Sequence, residues 1–322
     1  MVFLNVLLFI VGVGLLWLSS EVVIRNITPI ANYFGVKELV ITILGVSVLS
    51  SLPELSISAF AAAKGNADIS IGNVVGSNFV TLTFVSALCA LITPMSIKPE
   101  IKDRESSWMI LSSVAVLILA MDKRLSRIDG IILVVMYIPY IVTVIRQAAA
   151  EKSDASEEDG AKKKNKKIWL NFLMEVVAIF GIIFGADLAL NNGQALGKIM
   201  GIPDLALGAI FFAFGTSLPE MAIALSATFK KKAEISIGEI YSSNIFTALV
   251  VLGICCIIMP LDLTDVSILN FDLPFLILAG VVIQIFITTG MKFSRAEALI
   301  IMGLYVVFLL NHIFPGKFTF SF

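Results

Sequence analysis

The chain has 322 residues, 58% of them hydrophobic and 15% charged, with a mean hydropathy of +0.97 and a formal net charge of −1. Soluble domains are about 25% charged, so this chain has too little polar surface to cover a water-soluble fold. The composition excludes a soluble enzyme or a basic nucleic-acid binder and calls for an exterior that faces lipid.

In chain order, ten apolar runs approach or exceed the roughly 18 to 20 residues that cross a bilayer. They are 3–23, 36–63, 70–92, 106–121, 127–146, 168–193, 202–228, 235–258, 269–289 and 294–313. The expected fold is an all-α polytopic membrane protein of ten transmembrane helices. The first run lacks the basic start and small-residue cleavage site of a secretory signal, so it reads as a retained helix. Cys89, Cys255 and Cys256 fall inside runs and read as small buried hydrophobes. His312, at the end of the last run, reads as interfacial.

Placing the N-terminus outside and alternating through ten spans puts most Lys and Arg on inner loops. Only Lys64, Lys123, Arg124, Arg127, Lys198 and Lys317 are left outside. The positive-inside rule favours this orientation, with both termini outside. Between the fifth and sixth runs lies AAAEKSDASEEDGAKKKNKK (148–167), acidic and then basic without apolar period, which reads as a charged cytoplasmic linker. It divides the chain into a first five-helix repeat (1–147) and a second (168–322).

The two halves match in register. DISIGNVVGSN (68–78) lies over EISIGEIYSSN (234–244), and SLPE (51–54) over SLPE (217–220), both at a shift of 166 residues. The same shift carries Glu21 onto Asp187 and Asn26 onto Asn192. Five is odd, so the second half enters the membrane from the opposite side. Two inverted five-helix repeats are the build of many secondary transporters, whose sites form where broken helices meet near the midplane.

Each repeat carries a polar cluster in its second and third spans. In the first half these are Ser47, Ser50, Ser51 and Glu54, then Asn73, Ser77, Asn78 and Thr81. In the second they are Thr216, Ser217 and Glu220, then Glu239, Ser242, Ser243, Asn244 and Thr247. Pro53 lacks an N–H and its ring collides with the carbonyl of residue 49, so the helix kinks and frees carbonyls near residues 47 to 50. Non-helical backbone at that depth survives only when packed in protein or facing a polar cavity. Freed carbonyls, hydroxyls and carboxylates are hard oxygen ligands, and neither thiol nor imidazole belongs to the cluster. Such donors suit Na⁺, Ca²⁺ or Mg²⁺ rather than zinc, copper or iron. Glu54 and Glu220 are expected to face one another across the pseudo-dyad, where one divalent cation would neutralise both. A site that cannot cross empty must carry something back.

FGTSLPEMAIALSA (214–227) with SIGEIYSSNIF (236–246) resembles one α-repeat of the cation/calcium exchanger superfamily, and LSSLPELSISA (49–59) with SIGNVVGSNF (70–79) resembles the other. The closest resemblance is to compact prokaryotic and archaeal sodium/calcium exchangers, over essentially the whole chain. The resemblance implies Glu54 and Glu220 as central Ca²⁺ ligands, hydroxyl and carbonyl ligands at Ser50, Ser51, Thr216 and Ser217, and further ligands at Ser77 and Ser243. It also implies backbone carbonyl ligands near Ser47 and Ala213. It implies alternating access in which the first and sixth helices slide over a fixed core. Compactness and the lack of a targeting segment point to a prokaryotic plasma membrane, and a monomer is expected to suffice. Ca²⁺ and Na⁺ are then transported ions, and no cofactor is expected.

The sequence departs from that pattern at sites that matter. Leu49-Ser50-Ser51 stands where the family has Gly-Thr-Ser, and Thr81 and Thr247 stand where an Asn or Asp is usual. Glu239 puts a carboxylate where the first half has Asn73. It is expected at an inner vestibule, attracting cations or titrating as a proton site, or else at the interface with a lysine of 230–232. These departures keep a proton-coupled Ca²⁺ exchanger, or one carrying Mg²⁺, beside the Na⁺/Ca²⁺ reading. A cation channel or sensor is disfavoured by the inverted repeat. A hydrolase is disfavoured because no His or Lys lies near the serines.

Overall fold

The computed structural model describes residues 2–155, 168–200, 214–264 and 267–313. The long helices are α1 (Val2–Phe34), α4 (Ala67–Ile92), α6 (Arg127–Ala155), α7 (Ile168–Ile199), α9 (Ala233–Ile258), α10 (Ile268–Gly290) and α11 (Arg295–Ile313). Between α1 and α4 run α2 (Glu38–Ser50) and α3 (Leu52–Ala63), bent by 43° at Ser51. α5 (Ser106–Leu119) precedes α6, and α8 (Leu218–Phe229) precedes α9.

Among the described residues, seven helices, or eight counting the bent pair as one, are long and apolar enough to span. The other two expected spans are short for a physical reason or only partly described. α5 is preceded by the charged π turn Ile101–Glu105, and the first part of the 202–228 run lies outside the described residues. α1 extends through Pro29 to Phe34, beyond the expected run, and α6 continues to Ala155, into the stretch read as a linker.

Loops that strict alternation places on one face do meet. On the face expected to be inner, β1 (Met95–Ser96) pairs antiparallel with β4 (Lys292–Phe293), and Lys37 reaches Glu100 at 2.5 Å. Lys232 pairs there with Glu38 at 2.9 Å, and Lys98 with Glu234. On the opposite face β2 (Arg124–Leu125) pairs with β3 (Leu261–Asp262), and Thr264 N–H donates to Asp68 at 3.0 Å.

Two apolar clusters hold the helices. The larger joins α2–α6 with α9–α11, through residues such as Ile43, Phe79, Met109, Tyr140, Leu249 and Ile283. The smaller joins α1 and α7 to α8, through Val23, Ile27, Ile179, Ile182 and Ile223. α1 and α7 touch backbone to backbone: a Cβ on Gly12 would stand 2.6 Å from the Ala189 nitrogen, and one on Gly185 2.9 Å from the Gly12 oxygen. Without a hydrophobic drive between helices in lipid, small residues of this kind are what allow close van der Waals contact.

Candidate cation site

The site is built on two matching helix breaks. Ser51 (φ −86°, ψ 11°) stands before α3, and Ser217 (φ −81°, ψ 1°) before α8, each two residues ahead of a proline at the start of the new helix. Pro53 and Pro219 have no N–H to return to the preceding turn, so the chain leaves helical geometry at the serine. Glu54 and Glu220 then fall in the first turn of α3 and α8, where the positive end of the helix dipole favours a carboxylate.

Both carboxylates are buried, and their hydrogen bonding is incomplete. Ser51 Oγ donates to Glu220 Oε1 at 3.0 Å, while Glu220 Oε2, both oxygens of Glu54 and Ser217 Oγ have no partner. Another buried glutamate behaves differently. Glu105 accepts from Arg104 Nε at 2.5 Å and from Tyr140 Oη at 2.6 Å, so the protein supplies its counter-charge. Among the described residues no salt bridge reaches Glu54 or Glu220. Buried carboxylate oxygens left without donor or cation are costly, and orphaned oxygens from both halves form a donor set for a hard cation. Among the described residues no group of three or more Asp, Glu, His or Cys gathers to hold a metal, so the set is two carboxylates among hydroxyls.

The third and eighth spans cross-link the halves. Thr247 Oγ1 donates to Asn78 Oδ1 at 2.5 Å, Asn244 Nδ2 donates to Thr81 Oγ1 at 2.8 Å, and Asn78 Nδ2 to the Asn244 carbonyl at 3.3 Å. Each half gives its Asn to the other half's Thr, the reciprocity of an approximate two-fold axis. Both threonines begin or enter π turns, Val80–Val85 and Thr247–Val251, geometry that recurs at functional sites. Thr81 and Thr247 are thus engaged between the repeats. Ser77 and Ser243 donate back to Val74 and Ile240 carbonyls at 3.1 Å, which leaves their oxygen lone pairs free. The Ser47 carbonyl accepts from Ser51 N–H at 3.2 Å and from Ser50 Oγ at 3.1 Å. Ala213 lies outside the described residues.

Glu239 is in neither expected place. It is fully buried, and it accepts from Ser50 Oγ at 2.6 Å and Ser47 Oγ at 2.7 Å. Two of the three lysines expected as partners are used elsewhere, Lys230 by Glu21 at 3.5 Å and Lys232 by Glu38. The symmetric contact in the other half is looser and uncharged: Thr216 Oγ1 lies 3.5 Å from Asn73 Oδ1, and Asn73 Nδ2 donates to Ser58 Oγ at 3.0 Å. The repeat's symmetry is broken here by one carboxylate.

Two cavities lie toward opposite faces, and the first of them reaches the cluster. One, of about 510 Å³, is lined by Pro53, Asn73, Thr216 and Pro219 at its base and by Ile57 and Asp187 farther out. Its lining runs from the two breaks along α3 to Ile57, on the side of the Lys64–Asn66 turn, and along α7 to Asp187 and Leu190. The other, of about 550 Å³, lies between the opposite ends of α1, α2, α6 and α7 and ends on Val46 and Leu49. It carries Glu175, a buried acid whose two oxygens are unpartnered. Glu175 falls at the position of Phe9 in the first half, so a repeat-guided reading passes over it. The signal that could have found it is an acid in the run 168–193 with no polar counterpart in the first half, unlike Asp187, which matches Glu21.

A sequence profile of the family described as sodium/calcium exchanger protein matches residues 4–146 and 170–314. The inner membrane protein YrbG of Escherichia coli is 30% identical over 79% of this chain and 79% of its own. The sodium/calcium exchanger MaX1 of Methanosarcina acetivorans is 27% identical over 96% of this chain and 98% of its own. The solved structure of the sodium-calcium exchanger NCX_Mj soaked with 10 mM Na⁺ and zero Ca²⁺ superimposes with a TM-score of 0.82 at 24% identity, over 95% of this chain and 98% of that one.

Proposed function

Since the chain belongs to the sodium/calcium exchanger protein family, we propose that it is a secondary antiporter that exchanges Na⁺ for Ca²⁺ by alternating access, both ions binding between Glu54 and Glu220. The observation that carries this reading is the set of orphaned oxygens on Glu54, Glu220 and Ser217, contributed by both halves at matched helix breaks. One Ca²⁺ balances two carboxylates, and so do two Na⁺. An empty site would expose two unpaired buried charges during any rearrangement, which raises the barrier to returning unloaded and couples the two fluxes. Ser50, Ser51, Ser77 and Ser243 are the hydroxyl ligands in this reading, and the charge pattern of the loops supports both termini outside.

A specific observation favours a second reading, in which H⁺ or another divalent replaces one of the ions. Thr81 and Thr247 are spent on Asn244 and Asn78, and Glu239 adds a third carboxylate beside Ser47 and Ser50. Ca²⁺ uptake into proteoliposomes preloaded with Na⁺, against matched vesicles given only a pH gradient, separates the two. Uptake that requires internal Na⁺ and disappears in Glu54→Gln supports Na⁺/Ca²⁺ exchange. Uptake driven by the pH gradient alone overturns Na⁺ as the coupling ion. In that case Glu239→Asn, which makes the two halves alike, is expected to abolish the proton coupling.

A further inference from the structure

The inner face carries an ion-pair latch for which the outer face holds matching parts, unassembled. On the inner face Lys230 Nζ lies 3.5 Å from Glu21 Oε1 and donates to the Glu21 carbonyl at 3.3 Å, tying α1 to the end of α8. Glu21 is steadied from its own helix by Arg25 at 2.5 Å. The 166-residue shift carries these residues onto Asp187, Lys64 and Asn191. Asn191 Nδ2 donates to Asp187 Oδ1 at 2.9 Å, the same four-residue spacing on α7 that Arg25 and Glu21 have on α1.

The two lysines also sit on equivalent backbone. Lys64 follows α3 at φ −89°, ψ 1°, and Lys230 follows α8 at φ −85°, ψ 7°. The next residue takes positive φ in both, 76° at Gly65 and 59° at Lys231. Two turns this alike can present their lysines in the same way. Only one lysine is engaged: the Lys64 ammonium lies 4.5 Å from the Phe60 ring centroid, and among the described residues neither it nor Asp187 joins an ion pair.

The difference follows the state of the cavities. Asp187 lines the outer cavity, which reaches Pro53, Thr216 and Pro219. Ile57 on that cavity wall is 43% exposed, whereas Ile223, its counterpart at the 166-residue shift, is 0% exposed. Beside α3 the outer side is therefore open and beside α8 the inner side is closed, the inner-end cavity having no α8 residue in its lining, with the inner pair made and the outer pair apart.

We propose that Asp187 and Lys64 form the outer latch of the opposite state: when α1 and α7 shift and the outer cavity closes, the Lys64 ammonium leaves Phe60 for the Asp187 carboxylate as Lys230 releases Glu21. This inference rests on the alternating-access reading given above. Both residues act by positioning the helices and touch no transported ion.

The test places a thiol at Ile57→Cys or Ile223→Cys and follows its alkylation by a membrane-impermeant maleimide applied to either face of proteoliposomes. The native Cys89, Cys255 and Cys256 are buried. Ala222→Cys, next to Ile223 and half-buried, serves where the Ile223 variant does not fold. Lys64→Gln and Asp187→Asn are each expected to lower inner-face labelling about two- to fivefold, the worth of an exposed ion pair. The swapped pair Lys64→Asp with Asp187→Lys is expected to restore it, and Lys230→Gln to raise it. If Lys230→Gln shifts the labelling while the outer variants leave it unchanged, or the swap fails to restore it, the latch is overturned and alternating access stands. If none of the variants moves labelling at either site, alternating access falls and the latch falls with it.

Discussion

Two buried glutamates of this chain are solvated in opposite ways. Glu105 sits with Arg104 and the Tyr140 hydroxyl, a complete set of partners from its own chain. Glu54 sits at a helix break with both oxygens unpartnered, and Glu220 across from it has only Ser51. The desolvation cost is similar in kind, but one site carries its counter-charge within the protein and the other has none among the described residues. On the proposed function, this separates an acid that holds the fold from an acid that handles cargo.

Neutralising each glutamate would sharpen that contrast. The largest effect is expected at the cargo site: Glu54→Gln or Glu220→Gln should reduce exchange to the vesicle background while the protein still folds. The rise in Tm on adding Ca²⁺, which measures binding to the native state, should disappear with it. Glu105→Gln should do the reverse. It strands the Arg104 guanidinium, at a cost of about 3–5 kcal/mol, and lowers Tm whether or not Ca²⁺ is present. A Glu105→Gln protein of native stability would break the distinction.

Smaller effects probe the frame around the site. Gly12→Val drives a side chain into the α7 backbone at Ala189 and Gly185, at about 1–3 kcal/mol of overpacking, and should slow exchange by prying α1 from α7. The smallest effect is expected from Asn78→Ala, which removes two contacts between the halves. Hydrogen bonds between membrane helices average about 0.6 kcal/mol, so the loss should be about 1 kcal/mol, read as a small fall in Tm.

Much of the site was legible because prolines and acids are rare in apolar runs, and their recurrence at one fixed shift marks both helix breaks. Ser51, Glu54, Ser217 and Glu220 stand where that pattern places them, at the break or in the turn after it. Glu239 was not legible in this way. Its position was inferred from its own helix, whereas Ser47 and Ser50, which hold it, come from the other half of the chain, 192 and 189 residues away. The same holds for Thr81 and Thr247, which read as ligands along their helices until the facing asparagines are in place. The π turns leave no trace in hydrophobic periodicity, because one extra residue per turn lies within the tolerance of an apolar stripe.

The small ribbons on the two faces have a consequence of their own. Each pairs a strand of the first half with a strand of the second, β1 with β4 on one face and β2 with β3 on the other. Together with the exchanged Asn–Thr contacts, they join the halves by bonds that do not run through the segment 148–167. Two separately translated polypeptides, cut within that segment, should therefore find each other in the membrane and copurify as a working pair. In that light the two halves meet as the subunits of a dimer would, through contacts that need no covalent join.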